Sequence, residues 1–266
     1  MVGTRKTLPL LQARTVLVLR GHEMRAYMAD HKRPSASVSK KNVLIYGQGR
    51  SGTTLLESLM VSTGHFTGYH EALNTVTREV FWPTKFMRGL GRQSATNNII
   101  AHVKPEHLGQ SRRRPVDARK FLEALIEDGW FIVHIQRHDL VRKMVSKYIA
   151  KARGDFHKTD DTAEDIRLNI PESEFTAQYE RRLSWLSAEN ALLNGLPHMR
   201  ISYEEQLDRP EWHQRTVDGI CDQLGLARRP VSTRLKKIAA SSPSDFLLNA
   251  EELRSAFVAR GWEWTL

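Results

Sequence analysis

Apolar positions along the chain alternate between short continuous runs and longer stretches at helical spacing, the pattern of an α/β protein built on a parallel sheet. Val43, Leu44, Ile45 and Tyr46 form a run too short for a helix and apolar on both faces, which predicts a buried strand. Leu55, Leu56, Leu59 and Met60 then recur at helical spacing, with Gly64 placed to end the helix. Residues 66–70, 98–103, 130–135 and 199–203 predict four more strands. Between them, Asp117 starts a helix with Phe121, Leu122, Leu125 and Ile126 on one face, closed by Gly129. Asp139 caps another, whose apolar face is Leu140, Val141, Met144, Val145, Tyr148 and Ile149. Phe175, Tyr179, Leu183, Leu186 and Leu193 mark a long amphipathic helix, and a further helix stops at Leu224-Gly225-Leu226. Residues 74–97 read as a helix fragment with irregular segments that wall a pocket, and the polar, aperiodic residues 151–173 as a mobile loop. The strand at 66–70 is expected beside the strand at 42–46.

Composition narrows this picture. A chain of 266 residues with 40% hydrophobic residues has enough material for one large α/β domain. We expect residues 1–41 to form a basic helix, from about residue 10 to 31, with a loop, and residues 42–266 to form a single domain. The net charge of +10 is concentrated at the start: residues 1–41 hold nine Lys or Arg against Glu23 and Asp30, 9 − 2 = +7. A basic leader plus a local anion pocket fits better than a continuous nucleic-acid face, so no nucleic-acid partner is expected. That acid-poor beginning also has the composition of a transit peptide. Cys221 is the single cysteine, so neither an internal disulfide nor a multi-cysteine zinc site is expected, and a reducing, cytoplasmic setting is the default. No apolar run approaches the roughly 20 residues of a transmembrane helix.

The candidate chemistry begins at residues 42–60, where a strand passes into a helix through Gly47, Gly49 and Gly52. Such a junction aims free amides and the positive helix end at an anion, most naturally a phosphate. Gly47 and Gly52 have the Walker A separation, but Thr53 stands where the lysine belongs. Residues 47–52 also match GxGxxG, with Glu71 near the distance of a ribose-binding acid, so a dinucleotide-dependent oxidoreductase and a non-catalytic nucleotide-binding module stay open. HExxH and GxSxG are both absent, and no metal is expected.

Gly49-Arg50-Ser51-Gly52-Thr53-Thr54-Leu55-Leu56 resembles the 5′-phosphosulfate loop of sulfotransferases that use 3′-phosphoadenylyl sulfate (PAPS), in the version with arginine for lysine. Arg137 at a strand end, with Ser146 nine residues on in the next helix, resembles their 3′-phosphate motif, where many members space the pair by eight. The wording of residues 137–146 is similar to bacterial carbohydrate sulfotransferases of the trehalose type. Tyr203-Glu204 with Leu207, the stop at Leu224-Gly225-Leu226 and the ending Gly261-Trp262-Glu263-Trp264 continue the resemblance to the C-terminus. The clear C-terminal basic and glycine-rich segment of cytosolic members is missing; Arg228, Arg229, Arg234, Lys236 or Lys237 are the substitutes at hand.

The resemblance implies a three-layer, P-loop-like α/β fold and transfer of a sulfuryl group from PAPS to a hydroxyl of a small-molecule or carbohydrate acceptor, releasing adenosine 3′,5′-bisphosphate without a metal. It implies cofactor binding by Gly49, Arg50, Ser51, Gly52, Thr53, Thr54, Arg137, Ser146 and Tyr203. Catalysis is assigned to Arg50 at the leaving oxygen, Lys104 in the same pocket and Glu71 as general base, with His70, His102 and His107 as reserve bases.

Overall fold

The computed structural model describes residues 10–31, 40–76, 79–93, 98–154, 166–235 and 243–266. Five parallel strands form the sheet: β1 (Val43–Tyr46), β2 (Phe66–Gly68), β3 (Asn98–Val103), β4 (Phe131–Gln136) and β5 (Met199–Ser202). Their order is β2-β3-β1-β4-β5. The helices are α1 (Leu10–Asp30), α2 (Thr53–Ser62), α3 (Pro83–Gln93), the single turn α4 (Pro105–Leu108), α5 (Ala118–Glu127), α6 (Leu140–Arg153), α7 (Glu172–Leu193), the single turn α8 (Tyr203–Gln206), α9 (Pro210–Leu224) and α10 (Ala250–Ala259).

The two-residue period of the central strand sorts its side chains into two cores. Leu44 and Tyr46 point to one face, where they pack with Ile99, Val103, Phe86 of α3 and Phe121 of α5. Val43 and Ile45 point to the other, among Leu56 and Leu59 of α2 and Val217 and Ile220 of α9. The sheet is therefore the middle of three layers. A third cluster joins α6, α7 and α10 through Val145, Phe175 and Phe257.

The caps expected from sequence form. Asp117 accepts from the Lys120 amide at 3.1 Å and Asp139 from the Arg142 amide at 2.9 Å. Two expectations need correction. β2 pairs with β3, not with β1, and lies at the sheet edge, because the chain leaving α2 passes over one strand position that β3 later fills. The polar segment at 151–173 is partly helical: α6 continues to Arg153, with Lys151 and Arg153 at its negative end, and stops at Gly154 in the left-handed region (φ 73°). α7 already begins at Glu172, and residues 155–165 lie outside the described residues.

α1 crosses α3 at very close range. A Cβ on Gly89 would lie 1.9 Å from the Ala26 carbonyl oxygen, so the two helices meet backbone to backbone there. Arg92 of α3 binds Asp30 at the end of α1 and Asp128 after α5, which ties three elements together. Gly89→Ala gains up to about 1 kcal/mol of helix propensity, yet the clash with backbone should dominate. We expect a net loss of about 1–3 kcal/mol in urea unfolding, and unchanged stability would show that the contact is not needed.

Candidate functional site

The carboxyl end of β1 lies between those of β3 and β4, where the strand order reverses and open α/β sheets bind ligands. The chain leaves it through residues 47–52. Gly47 lies against β4, where a Cβ would stand 2.3 Å from the Ile135 carbonyl oxygen. Arg50 (φ 66°) and Gly52 (φ 92°) are both left-handed, and a Cβ on Gly52 would meet the Tyr203 ring at 2.7 Å. Those two turns swing the chain into α2. The Leu56 amide is the donor to the Gly52 carbonyl, at 2.9 Å, so the amides of the preceding helical positions lack an intrahelical acceptor. The Ser51 hydroxyl is fully buried and has no hydrogen-bond partner. An anion at the helix start would satisfy these donors.

Behind the loop, Arg50 donates to the Ser146 hydroxyl from Nη2 at 3.0 Å and from Nε at 3.3 Å. Arg137 donates to the Arg50 carbonyl at 3.4 Å and lies over the Tyr203 ring, 4.4 Å from its centroid. Burial and then the neighbouring Arg137 lower Arg50 to about 10, so it stays charged at neutral pH. Burial pushes the Tyr203 phenol up. Residue roles expected at opposite ends of one nucleotide thus meet in one cluster: Arg50, Arg137, Ser146 and Tyr203. Glu204, to which the sequence reading assigned no role, organises it. Its carboxylate accepts from the amides of His138 and Asp139 at 3.2 and 3.1 Å and stands 3.9 Å from Arg137.

On the other side of the loop, Glu71 is the hub of a second cluster. It forms an ion pair with Lys104, accepts from Asn74 at 2.6 Å, and faces Nε2 of His102 at 3.8 Å and of His107 at 3.6 Å. Burial pushes the Glu71 carboxyl up, but Lys104 and the two imidazoles outweigh it and hold the carboxyl below its ordinary value. Burial first, and then Lys104, lower His107 to about 4, so it is neutral at pH 7. The Lys104 amide donates to His107 Nδ1 at 3.4 Å, which leaves the His107 proton on Nε2, toward Glu71.

Glu57 of α2, also unforeseen, anchors this cluster from below. One carboxylate oxygen accepts from the His70 amide at 2.7 Å and the other lies 3.1 Å from His102 Nδ1. His70 is left-handed (φ 47°), so Glu57 fixes the turn that brings Glu71 back over β3. This turn explains how a residue after the edge strand reaches the loop after β1.

A cleft of about 780 Å³ unites Gly49, Arg50, Thr53, Thr54, Glu71 and Lys104. Ser51, Gly52, Arg137, Ser146 and Tyr203 do not line it. Lys104 runs along the loop, its Cε 3.5 Å from where a Gly49 Cβ would be. Among the late basic residues, Arg228 pairs with Asp222 at 2.7 Å and Arg229 donates to the Thr63 carbonyl at 3.1 Å; Lys236 and Lys237 lie outside the described residues. Among the described residues, no set of three or more metal-ligating side chains is arranged to hold a metal, and no helix is long and apolar enough to cross a membrane.

Beneath the loop sits a buried polar network. Lys143 donates to Gln48 at 3.0 Å and Arg182 of α7 to the same oxygen at 3.2 Å, while His134 faces Glu189 at 3.3 Å. Burial, then Arg182, brings Lys143 down to about 7.

No protein-family model matches this chain, and no curated protein matches it significantly. Among solved structures, the crystal structure of a sulfotransferase from Alicyclobacillus acidocaldarius is similar with a TM-score of 0.48 and 11% identity, covering 86% of this chain and 98% of that one.

Proposed function

We propose that this protein is a sulfotransferase that moves a sulfuryl group from PAPS to a hydroxyl of a small-molecule or carbohydrate acceptor. The observation that carries this reading is the convergence, in one cleft at the carboxyl end of β1, of a glycine loop opening a helix with a carboxylate and a lysine poised beside it. The buried, unpartnered Ser51 hydroxyl and the free amides at the start of α2 fit an anionic donor. PAPS supplies the sulfuryl group and, as adenosine 3′,5′-bisphosphate, its own leaving group.

The residues divide the work as follows. Ser51, Gly52, Thr53 and Thr54 hold the 5′-phosphosulfate end, and Arg50 stabilises negative charge on the leaving oxygen. Arg137 and Ser146 hold the 3′-phosphate, with Tyr203 backing Arg137. Glu71 takes the acceptor proton as the O–S bond forms, so the acceptor oxygen gains the sulfuryl group and loses its hydrogen to the carboxylate. Lys104 lies between Glu71 and the loop, where its charge serves either one. Catalysis rests on position and electrostatics, as in phosphoryl transfer. The buried, free Cys221 is in keeping with a cytoplasmic setting.

The sheet order speaks against a dinucleotide oxidoreductase. A ribose-binding acid belongs at the end of the strand next to β1, whereas Glu71 follows the edge strand and is committed to Lys104. Adenosine 3′,5′-bisphosphate at 100 times its dissociation constant should stabilise the fold by about 2.7 kcal/mol, and NADH should not. Stabilisation by NADH alone would overturn the assignment. Arg137→Ala should weaken adenosine 3′,5′-bisphosphate by roughly 10- to 100-fold in calorimetry, since a charge-assisted contact contributes about 1.5–3 kcal/mol. An unchanged Kd removes Arg137 from the site.

A further inference from the structure

Two buried cations at the back of the cleft share a single neutral acceptor. Lys143 Nζ and Arg182 Nη1 both donate to Gln48 Oε1, at 3.0 and 3.2 Å. Lys143 is 1% and Arg182 5% exposed, and the Arg182 Nε has no hydrogen-bond partner. Among the described residues, no carboxylate comes within 4.0 Å of Lys143, of Arg182 or of Lys147, one turn further along α6. Glu106 and Glu189 act on Arg182 only from beyond that distance, and Glu189 already faces His134.

Elsewhere in the protein, buried and half-buried cations are treated differently. Arg92 reaches both Asp30 and Asp128, and Arg112 has Glu79 at 3.6 Å. An amide oxygen offers a dipole, not a charge, so the Lys143 and Arg182 pair is left electrically open, which is costly in a low-dielectric interior. Lys147 is exposed along much of its chain, yet desolvation at the cleft and then Arg182 lower it from its ordinary value, outweighing Glu106, a carboxylate of the same cleft that acts in the opposite sense. Arg182 and Lys147 line the same cleft as Glu71, beside Trp185, over whose ring Arg182 lies at 5.3 Å. A guanidinium with a free edge and a nearby ammonium match the geometry of an oxyanion, and the indole beside them suits the flat or ringed body that carries it.

We propose that Arg182 and Lys147, backed by Lys143, form an oxyanion subsite of the cleft, and that the acceptor carries a carboxylate, sulfate or phosphate group that docks there while its hydroxyl meets Glu71. The subsite stands on the geometry of the cations alone; its use by an acceptor rests on the sulfuryl-transfer reading.

The test is a titration of the full-length protein with inorganic sulfate at constant ionic strength, with and without saturating adenosine 3′,5′-bisphosphate. Binding is read on the Arg182 Nε–H resonance, assigned by its loss in Arg182→Gln. We expect a saturable shift in the nucleotide-loaded protein and a sulfate Kd at least tenfold weaker in Lys147→Gln, a change at an exposed residue that spares the fold, with the nucleotide Kd within twofold of wild type. A linear, unsaturated shift, or equal sulfate affinity in wild type and Lys147→Gln, overturns the subsite. Should the nucleotide fail to bind, the transfer reading falls, while the sulfate titration of the free protein still decides the subsite. For the acceptor, glucuronate should compete with sulfate at this signal and glucose should not. Equal competition by glucose, or none by either sugar, overturns the anionic-acceptor half.

Discussion

Glu71→Gln should lower kcat by about 100-fold or more, the usual contribution of a positioned general base, while leaving the Kd for adenosine 3′,5′-bisphosphate within twofold. The amide keeps the shape of the side chain and its contact with Asn74 but cannot take a proton. Glu71 suits the role because it is ionised at neutral pH: Lys104 and the two imidazoles outweigh the effect of burial and hold its carboxyl below the ordinary value. The rate should therefore be flat across neutral pH and fall only in acid, where Glu71 becomes protonated. Its shape also bears on stability. A carboxyl with a depressed pKa contributes stability at pH values above its unfolded pKa and loses it as pH falls through the folded one, so the cluster should loosen only in acid. His102 is the natural reserve, since its Nδ1 stands 3.1 Å from Glu57 and its Nε2 faces Glu71 at 3.8 Å. Near wild-type turnover of PAPS, with any hydroxyl compound the wild type accepts, would remove Glu71 from the base role.

The strands, the glycine loop and the helix caps were legible because each is written in local chemistry: a run of β-branched residues, a glycine at a left-handed turn, an aspartate before a helix. The order of the strands was not. Nothing between Ser62 and Phe66 says whether β2 docks beside β1 or one position further out; that is settled by β3, more than thirty residues later in the chain, filling the gap. Glu71 still arrives near the loop because Glu57 bends the turn at His70, a long-range bond invisible in a helix that reads simply as amphipathic. Arg50 and Ser146 were assigned to different ends of one ligand on family resemblance, and the direct hydrogen bonds between them, across 96 residues of chain, have no signal in the sequence. Arg182 and Lys143 escaped for a related reason. Lys143 lies off the apolar face of α6, while Arg182 interrupts the apolar stripe of α7 between Tyr179 and Leu186, and both are buried where α7 packs on α6.

That burial leads to the last large effect. Lys143→Met should stabilise the protein at pH 6, in urea unfolding, by several kcal/mol. Lys143 is 1% exposed, and burial followed by Arg182 lowers it to about 7 from its ordinary 10.5. At about 1.4 kcal/mol per pKa unit, keeping it charged in the fold costs on the order of 5 kcal/mol below pH 7. The sign follows from linkage. The unfolded chain holds the lysine proton more tightly than the folded one, so wild-type stability rises with pH between about 7 and 10.5 as the folded state is relieved of its charge. The methionine variant has no such proton, and its advantage should shrink across that interval and be smallest near pH 10. Gln48 is not orphaned, since Arg182 still donates to its carbonyl at 3.2 Å, and the thioether chain fills nearly the same volume. A gain that does not depend on pH would mean that packing, not charge, sets the cost of Lys143. A loss of stability at every pH would mean that its bond to Gln48 outweighs its desolvation. In either event the uncompensated charge that makes the cleft an anion site would have to reside on Arg182 and Lys147 alone.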